Sequence, residues 1–286
     1  METYQQWLLD NGYGAIDHSE SAAGGCISDA SHLTLDSGKR VFLKQLNSAP
    51  ADMFSAEASG LQALAEPAAC RVPRVIHASD KFILLEDLGR AAPADGFWET
   101  LGQQLANLHQ HTQPGFGFTI NNYCGATVQD NSFEIDGHRF FAERRLLALA
   151  RQANDRGLLS SKELSTLDQI AQRLSNWIPV MPAAIIHGDL WSGNVHCDKE
   201  GQPALIDPAT HWGWAEAELA MTQLFGGFPQ EFYGSYEEHS GISKDWRERA
   251  ALYNLYHLLN HLLLFGASYH AGVQSIIQRY AGSAGV

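Results

Sequence analysis

Residues 1–88 contain several short stretches in which polar and hydrophobic positions alternate, the pattern of half-buried β-strands. Two of these stretches, at 31–35 and 41–46, flank the turn sequence Asp36-Ser37-Gly38-Lys39, which predicts a β-hairpin. Further strands are predicted at 74–78 and 82–86, and helices at 2–10 and 53–65. The first part of the chain is therefore expected to be a small α+β unit.

The remainder of the chain has mainly helical spacing of its hydrophobic residues. Residues 89–96 include Gly89, Pro93 and Gly96 and have the composition of a linker. Beyond them, helices are predicted at 97–111, 139–156, 161–177, 215–225, 245–264 and 274–280, with β-like stretches at 184–186, 195–197 and 204–206. The predicted fold class is α+β, with a β-rich lobe at 1–88, a linker at 89–96 and a larger, mainly helical lobe at 97–286.

The composition is that of a folded, acidic protein. Of its 286 residues 45% are hydrophobic, which is sufficient to form a core and excludes disorder as the main state. No apolar run approaches the ~18 residues of a spanning helix, and the first residues lack a signal-peptide pattern, so we expect a cytoplasmic protein with no membrane partner. The formal net charge of −13 and the lack of a basic run argue against nucleic acid as a partner.

The cysteines at 26, 70, 124 and 197 are scattered and include no C-x-x-C pair. The sequence therefore predicts neither a disulfide framework nor a structural zinc site. As a class these cysteines are expected to be small buried side chains. Cys26 is the exception, because it lies in a glycine-rich turn where an exposed thiol could be sensitive to oxidation.

The strongest chemical signal is the segment His187-Gly188-Asp189-Leu190-Trp191-Ser192-Gly193-Asn194. It has the H-x-D-x-x-x-x-N spacing of a phosphotransferase catalytic loop. In such a loop an aspartate orients the proton of the attacking hydroxyl, and an amide five residues later reaches a magnesium ion. Asp189 and Asn194 occupy these positions, directly after the apolar Ile185-Ile186.

Four further features stand in the order that a kinase requires. Asp207 ends an apolar stretch where kinases place a carboxylate that binds magnesium. Lys44 lies on the strand predicted at 41–46, and Glu57 lies thirteen residues later on a predicted helix, well placed to pair with it. The turn at 23–28 precedes that strand, so its amides could cover phosphates. Together with the catalytic loop, these features predict an ATP-dependent kinase.

These residues resemble the fructosamine kinase family, the ketosamine-3-kinases, within the wider aminoglycoside phosphotransferase-like kinases. The resemblance is carried by the sequence of the catalytic loop at 187–194 and by Ile206-Asp207-Pro208-Ala209. Further matches lie at 24–28, 218–228 and 255–261, so that the likeness extends from about Gly12 to Tyr280. It implies a bilobal protein-kinase-like fold with a small β-rich N-lobe and a helical C-lobe.

The resemblance also implies an activity and its cofactors. The family transfers phosphate from ATP, with Mg²⁺, to the sugar 3-hydroxyl of a ketosamine, and the unstable product then releases the free amine. Asp189 would be the catalytic base and Asn194 and Asp207 the magnesium ligands. The acceptor would be a small-molecule or protein-bound glycated amine, and the chain a monomer or weak homodimer.

The nucleotide-binding and substrate residues follow from the same resemblance. Lys44 would contact the α- and β-phosphates, with Glu57 positioning it. The covering loop would comprise Gly24, Gly25, Cys26, Ile27 and Ser28, and the main chain of Glu86, Asp87 and Leu88 would meet the adenine. Trp191 would flank the sugar, with His187, Trp212, Glu216 and His261 as further substrate residues.

One segment departs from the family pattern. Where the family usually has Tyr-Tyr-Gly-His-Arg-Glu, this chain has His211-Trp212-Gly213-Trp214-Ala215-Glu216. Because the segment follows the magnesium aspartate, we expect it to border the acceptor and to affect the choice of ketosamine more than catalysis. A kinase of another hydroxylated amine, such as an aminoglycoside or a choline-like compound, is the nearest alternative. A nucleotide-binding pseudokinase is a weaker one, because Lys44, Asp189, Asn194 and Asp207 are all present.

Other reaction classes lack their motifs. The chain has no Walker A sequence, no Rossmann glycine pattern and no G-x-S-x-G nucleophile elbow. His257 and His261 have the i, i+4 spacing of a zinc pair, but H-E-x-x-H and a third ligand are missing. A packed polar seam or a wall of the substrate site is the favoured interpretation of these two histidines.

Overall fold

The structure is a computed structural model that describes residues 3–22, 29–46, 48 and 50–282. The glycine-rich turn predicted to cover phosphates, with Gly24, Gly25, Cys26, Ile27 and Ser28, lies outside these residues.

The small lobe is built on one antiparallel sheet of five strands. Its strands are β1 Ile16–Ser21, β2 Asp29–Leu35, β3 Arg40–Gln45, β4 Val75–Ala78 and β5 Phe82–Glu86, in the order β1-β2-β3-β5-β4. Helix α1, Tyr4–Asp10, precedes the sheet, and α2, Met53–Ala65, connects β3 to β4. The register pairs Lys44 with Ile83, which sets the lysine-bearing strand beside β5.

Strand β5 explains how the small lobe joins the rest of the molecule. Phe82 and Leu84 belong to a cluster with Leu8 of α1, whereas Ile83 and Leu85 belong to the main hydrophobic core. Successive side chains of a strand point to opposite faces, so a strand buried on both faces is apolar throughout. The main core also contains residues of α2, so the lobes are joined by packing as well as by the linker.

The larger lobe is mainly helical. Its helices are α3 Phe97–His109, α4 Gly137–Phe140, α5 Ala148–Asp155, α6 Ser161–Ala171, α7 Ala215–Leu224, α8 Gln230–Ser240, α9 Trp246–Phe265 and α10 His270–Ala281. A π-helical segment, Phe141–Leu147, joins α4 to α5, and 3₁₀ turns occur at Leu174–Asn176, Ser192–Asn194 and Ala267–Tyr269. No helix within the described ranges is long and apolar enough to cross a bilayer.

Short strands of the larger lobe frame the catalytic segment. They are β6 Thr112–Gln113, β7 Asn122–Cys124, β8 Thr127–Gln129, β9 Ala183–Ile186, β10 Val195–Cys197, β11 Pro203–Leu205 and β12 His211–Gly213. Strand β9 is central in the sheet β12-β9-β6, while β10 pairs with β11 and β7 with β8. The predicted catalytic loop runs from the end of β9 to the start of β10, and so connects the sheet β12-β9-β6 to the β10–β11 pair.

Most predicted elements are present, with shifted ends. Helix α2 has the predicted bounds, whereas the helix predicted at 161–177 ends at Ala171 and is followed by a 3₁₀ turn. Strand β1 and helix α8 were not predicted. All but the first residue of β1 are exposed, and α8 contains Gly234 and few aliphatic residues, so neither shows the usual hydrophobic periodicity.

Candidate active site

The catalytic loop is fixed by the histidine at its start. His187 is completely buried, and its Nε2 donates to the Ile206 carbonyl at 2.8 Å while its Nδ1 accepts from the Asp189 amide at 3.3 Å. Burial lowers the pKa of this imidazole, so the ring is neutral and can serve both bonds. His187 thereby ties the loop to the segment that carries Asp207 and orients the backbone of Asp189.

A buried carboxylate holds the same loop from the other side. Glu218 of α7 accepts hydrogen bonds from the amides of His187 at 2.9 Å and Gly188 at 2.7 Å, and from Nε2 of His109 at 3.0 Å. Burial alone would raise the pKa of Glu218, but His109 and the loop groups outweigh it and lower this pKa. Gly188 has φ +84°, and an added Cβ would lie 2.2 Å from the Ala209 carbonyl oxygen. The loop therefore requires both glycine and the carboxylate.

Asp189 and Asn194 contact each other at the two ends of the loop. Asn194 donates its side-chain amide to the Asp189 carbonyl at 2.8 Å and approaches the Asp189 carboxylate at 3.4 Å. Burial, reinforced by the negative charge of Asp207, raises the pKa of Asp189 to about 7. A carboxylate with a pKa near neutrality is a stronger proton acceptor than an ordinary aspartate, as general base catalysis requires.

A buried lysine links both lobes at the site. Lys44 Nζ lies 2.5 Å from Glu57 Oε1 on α2 and 2.5 Å from Asp207 Oδ1. Burial alone would lower the pKa of Lys44, but the carboxylates of Asp207 and Glu57 outweigh it and raise this pKa, so the ammonium is charged. The ion pair predicted between Lys44 and Glu57 is thus present.

Asp207 and Asn194 fit the requirements of a divalent cation. The Ile206 amide donates to the Asn194 carbonyl at 3.1 Å, so the two side chains start from adjacent points of the backbone. The Asp207 side chain is 43% exposed, and its backbone has φ +58°, a left-handed conformation that costs about 1–3 kcal/mol and is frequent at functional sites. Because the Asn194 nitrogen donates to Asp189, the side-chain oxygen is left for a cation that prefers oxygen ligands.

Comparison of the sequence with known proteins identifies the family. A family model described as fructosamine kinase matches residues 2–282. The chain belongs to the fructosamine kinase family. A probable ketoamine kinase of Synechocystis is 38% identical over 92% of this chain and 90% of its own length. A chloroplastic protein-ribulosamine 3-kinase of Arabidopsis thaliana is 35% identical over 96% of this chain and 86% of its own length.

Solved structures confirm the predicted fold. A crystal structure assigned to the fructosamine-3-kinases, from Thermobifida fusca, has a TM-score of 0.88 at 31% identity and covers 98% of both chains. An aminoglycoside phosphotransferase solved with ADP and hygromycin B has a TM-score of 0.61 at 16% identity, covering 99% of this chain and 100% of its own. The latter likeness shows the protein-kinase-like fold alone. The predicted family, fold class and kinase class are therefore confirmed, and ATP use with a divalent cation is implied by the family.

The side chains of the predicted adenine segment fix its shape. Glu86 pairs with Arg71 at 2.6 Å, and the buried Asp87 carboxylate bonds to His32, Arg40 and the Gly89 amide at 2.9, 2.9 and 2.8 Å. Leu88 is buried, and its carbonyl accepts from the Lys199 amide at 2.9 Å, which attaches the end of the small lobe to the turn between β10 and β11. The polar side chains of Glu86 and Asp87 are thus already bonded within the protein. Recognition of adenine by the main chain of 86–88 stays a prediction.

Two of the predicted substrate residues belong to one row of aromatic rings. Trp191 meets Phe225 edge-on at 6.3 Å between ring centroids, and Phe225 stacks on His261 at 4.6 Å. The Trp191 ring lies over Gly193, where an added Cβ would be 2.3 Å from it. We call Trp191, Phe225 and His261 the aromatic wall. Phe225 was missed by the sequence analysis, although it lies within the matched segment 218–228.

The other predicted substrate residues have different places. His187 has no exposed surface and acts through the loop backbone, as described above. Glu216 is buried in a bidentate ion pair with Arg249, at 2.6 and 2.7 Å, and also accepts from Tyr253 at 2.9 Å. Trp212 pairs with Ile185 on β9 and packs against the main core. Direct substrate contact does not fit the geometry of His187 or Glu216, because their polar atoms are already used inside the protein.

Trp214, one of the residues at which the segment 211–216 departs from the family pattern, lies in the interior. Trp214 is 3% exposed and packs edge-on or tilted against Phe116, Phe141 and Tyr253. The expectation that this departure borders the acceptor is therefore not supported at Trp214, since its ring fills the core beneath the sheet β12-β9-β6.

Glu218 and His109 are positioning residues that the sequence analysis did not identify. Both are buried, and both act on the loop rather than on a substrate. The sequence offered only a weak signal, because Glu218 and Glu216 lie on the same helix and a one-dimensional pattern does not say which one faces the loop.

Glu218→Gln should reduce kcat by roughly ten- to a hundredfold, because an unsatisfied buried amide costs about 1–3 kcal/mol. In either orientation the glutamine places an NH₂ group against a backbone N–H, of His187 or of Gly188. The KM for ATP should change little, since Lys44 and Asp207 do not contact Glu218. Steady-state kinetics checks this, with the exposed Glu238→Gln on α8 as the matched control. Equal kcat values in the two variants would contradict the positioning role.

The pKa of Asp189 predicts the acid limb of the pH profile. Only the ionised carboxylate can accept a proton, so kcat/KM should rise with pH and level off above about 7. Burial lowers the pKa of His187, so its titration lies on the acid side and does not produce this limb. Measuring ATP turnover between pH about 5 and about 9 tests the prediction. A profile that is flat across neutrality would show that Asp189 is not the titrating base.

Proposed function

We propose that the protein is an ATP-dependent ketosamine 3-kinase, which phosphorylates the 3-hydroxyl of a glycated amine and so starts its deglycation. The observation that carries the proposal is the catalytic loop of a chain belonging to the fructosamine kinase family, which bears both Asp189 and Trp191 of the aromatic wall. Asp207, whose negative charge acts on Asp189, binds Lys44 at 2.5 Å. The names of the relatives, ketoamine kinase and protein-ribulosamine 3-kinase, support the same substrate class.

The proposed roles follow from the geometry. Asn194 and Asp207 would hold Mg²⁺, which neutralises the phosphate charge that develops during transfer. Lys44 would leave Asp207 for the nucleotide phosphates while Glu57 keeps it in place. Asp189 accepts the proton of the attacking 3-hydroxyl, and His187 with Glu218 keeps the loop in the reactive geometry.

The aromatic wall suits a sugar linked to an amine. Ring faces pack against the C–H groups of a sugar, and their electron-rich faces attract a cationic amine. The wall continues through the His261 contacts to Phe265, which is 55% exposed, and to Tyr269. An amine at the exposed end could belong to a small metabolite or to a protein side chain, and both acceptors are retained in the proposal. A cytoplasmic location and a monomeric or weakly dimeric state are retained with it.

Ribulosyl-lysine and fructosyl-lysine should be phosphorylated with release of free lysine, whereas an aminoglycoside and choline should not be. The measurement is Mg²⁺- and ATP-dependent product formation, followed by ³¹P NMR and by amine release. Trp191→Ala should raise the KM for the ketosamine by about tenfold or more, the loss of roughly 1.4 kcal/mol, and leave the KM for ATP unchanged. Trp191→Phe is the conservative control and should retain most of the affinity.

Two results would contradict the proposal. Phosphate transfer to the aminoglycoside or to choline, with no turnover of either ketosamine, would assign a different acceptor. ATP binding without transfer to any of the four compounds would indicate a nucleotide-binding protein that is not a kinase.

A further inference from the structure

Three potential metal ligands from distant parts of the chain meet at the catalytic loop, and the proposed catalytic base is one of them. Cys124 of β7, Asp189 of the catalytic loop and His257 of α9 each place one ligand atom within 4.8 Å of the other two. Cys124 and His257 are 3% and 6% exposed, so the cluster forms the inner wall of the site. The kinase mechanism uses only Asp189 of these three residues.

The cluster has the ligand types that zinc prefers. Zn²⁺ binds thiolate, imidazole and carboxylate at about 2.0–2.3 Å, which places tetrahedral ligand atoms roughly 3–4 Å apart. A small inward movement of the three side chains would therefore reach a zinc geometry. The thiolate and carboxylate charges would neutralise the ion, which avoids an unpaired charge in the interior. Magnesium prefers oxygen ligands and suits Asn194 and Asp207 better.

The imidazole in this cluster lacks a hydrogen-bond partner. Nδ1 of His257 is buried and makes no hydrogen bond to the described residues. Burial, reinforced by the neighbouring His261, lowers the pKa of His257 to about 3, so the ring is neutral and has a free lone pair. An unpartnered buried nitrogen costs about 1–3 kcal/mol, and a metal ion bound through Nδ1 would remove that cost.

Hydrogen bonds hold the elements that carry these ligands. Asn260, one turn after His257 on α9, donates to the Cys124 carbonyl at 3.2 Å. Tyr256 of the same helix donates to Gln129 of β8 at 2.8 Å, and Gln129 donates to Asn122 of β7 at 3.0 Å. Such contacts around a ligand set fix its geometry, as the outer residues of metal sites do. The i, i+4 histidine pair of the sequence analysis thus contributes one ligand, and the others come from remote segments.

We propose that Cys124, Asp189 and His257 form a zinc site that inhibits the enzyme by occupying the catalytic base. Zinc binding forms bonds to the sulfur, the imidazole nitrogen and the carboxylate oxygen, and the Cys124 thiol releases one proton to solvent. The fourth position is left to water. With its carboxylate on zinc, Asp189 no longer accepts the proton of the acceptor hydroxyl, and chelation of the metal restores activity.

Cobalt titration of the chelator-treated full chain tests the site directly. Co²⁺ replaces Zn²⁺ in such sites, and a thiolate ligand gives a near-ultraviolet charge-transfer band that an oxygen-only magnesium site lacks. The wild type should show this band and lose it when Zn²⁺ is added. Cys124→Ser should abolish it and His257→Gln should weaken binding by at least about tenfold. Cys197→Ser, which alters a half-buried cysteine outside the cluster, should leave the band unchanged.

Inhibition is measured separately at saturating Mg²⁺ and ATP. Zn²⁺ should inhibit the wild type and Cys197→Ser, a chelator should reverse the effect, and Cys124→Ser should need at least about tenfold more zinc. Equal zinc sensitivity of Cys124→Ser and the wild type would overturn the proposal, because zinc would then act elsewhere. Absence of the thiolate band in the wild type would also overturn it.

Two controls keep the result interpretable. Thermal unfolding of each variant shows whether it is folded, and if Cys124→Ser is not, Cys124→Ala replaces it. If both fail to fold, a thiolate band that persists in Cys26→Ser, Cys70→Ser and Cys197→Ser supports the site, and its loss in any of the three overturns it. The cobalt spectrum needs no turnover, so it stands even if no ketosamine is phosphorylated and failure of the two proposals can be distinguished.

Discussion

A buried ammonium bonded to two carboxylates is the interaction on which the site depends. Lys44 comes from the sheet of the small lobe, Glu57 from the helix above it, and Asp207 from the segment after β11. Leaving the Lys44 ammonium buried without a partner would cost about 3–5 kcal/mol, so the strand that carries it must pack against an element that supplies a carboxylate. Asp207 is the more exposed carboxylate and is therefore the partner that can leave Lys44 for a cation.

The catalytic loop depends on a second set of buried polar contacts. Glu218 accepts from the first two loop amides, and His187, the first loop residue, bonds to the Ile206 carbonyl. Both side chains are buried, so a substrate does not reach them. Their role is to prearrange Asp189, which matters in a reaction where positioning and charge stabilisation supply most of the catalysis. The raised pKa of Asp189 follows from the same burial and from the negative charge of Asp207.

The sequence was most informative where function depends on local spacing. The catalytic loop, Asp207, and the thirteen-residue interval from Lys44 to Glu57 were all recognisable, because loops and strand ends place these residues directly. The family resemblance added the substrate class, which no single motif specifies. Helix α2 was predicted with its observed bounds because its composition is helical and Pro67 follows it closely.

Features that depend on tertiary packing were missed or misassigned. Glu216 and Glu218 are two residues apart, yet one pairs with Arg249 in the core and the other binds the loop. The metal-ligand cluster joins Cys124, Asp189 and His257 across more than a hundred residues of chain, a juxtaposition that spacing alone does not reveal. Trp214 stands in a segment expected to face the acceptor, but its ring fills the core.

In the proposed mechanism, different residues hold the nucleotide and accept the proton of the acceptor hydroxyl. Asp189→Asn tests it most directly, because the amide keeps the shape of the carboxylate and removes its basicity. ATP affinity and turnover are measured on the same preparation. The expected result is wild-type ATP affinity with turnover reduced roughly 10²–10⁴-fold. Retained turnover, or a loss of ATP binding as large as the loss of turnover, would contradict the claim.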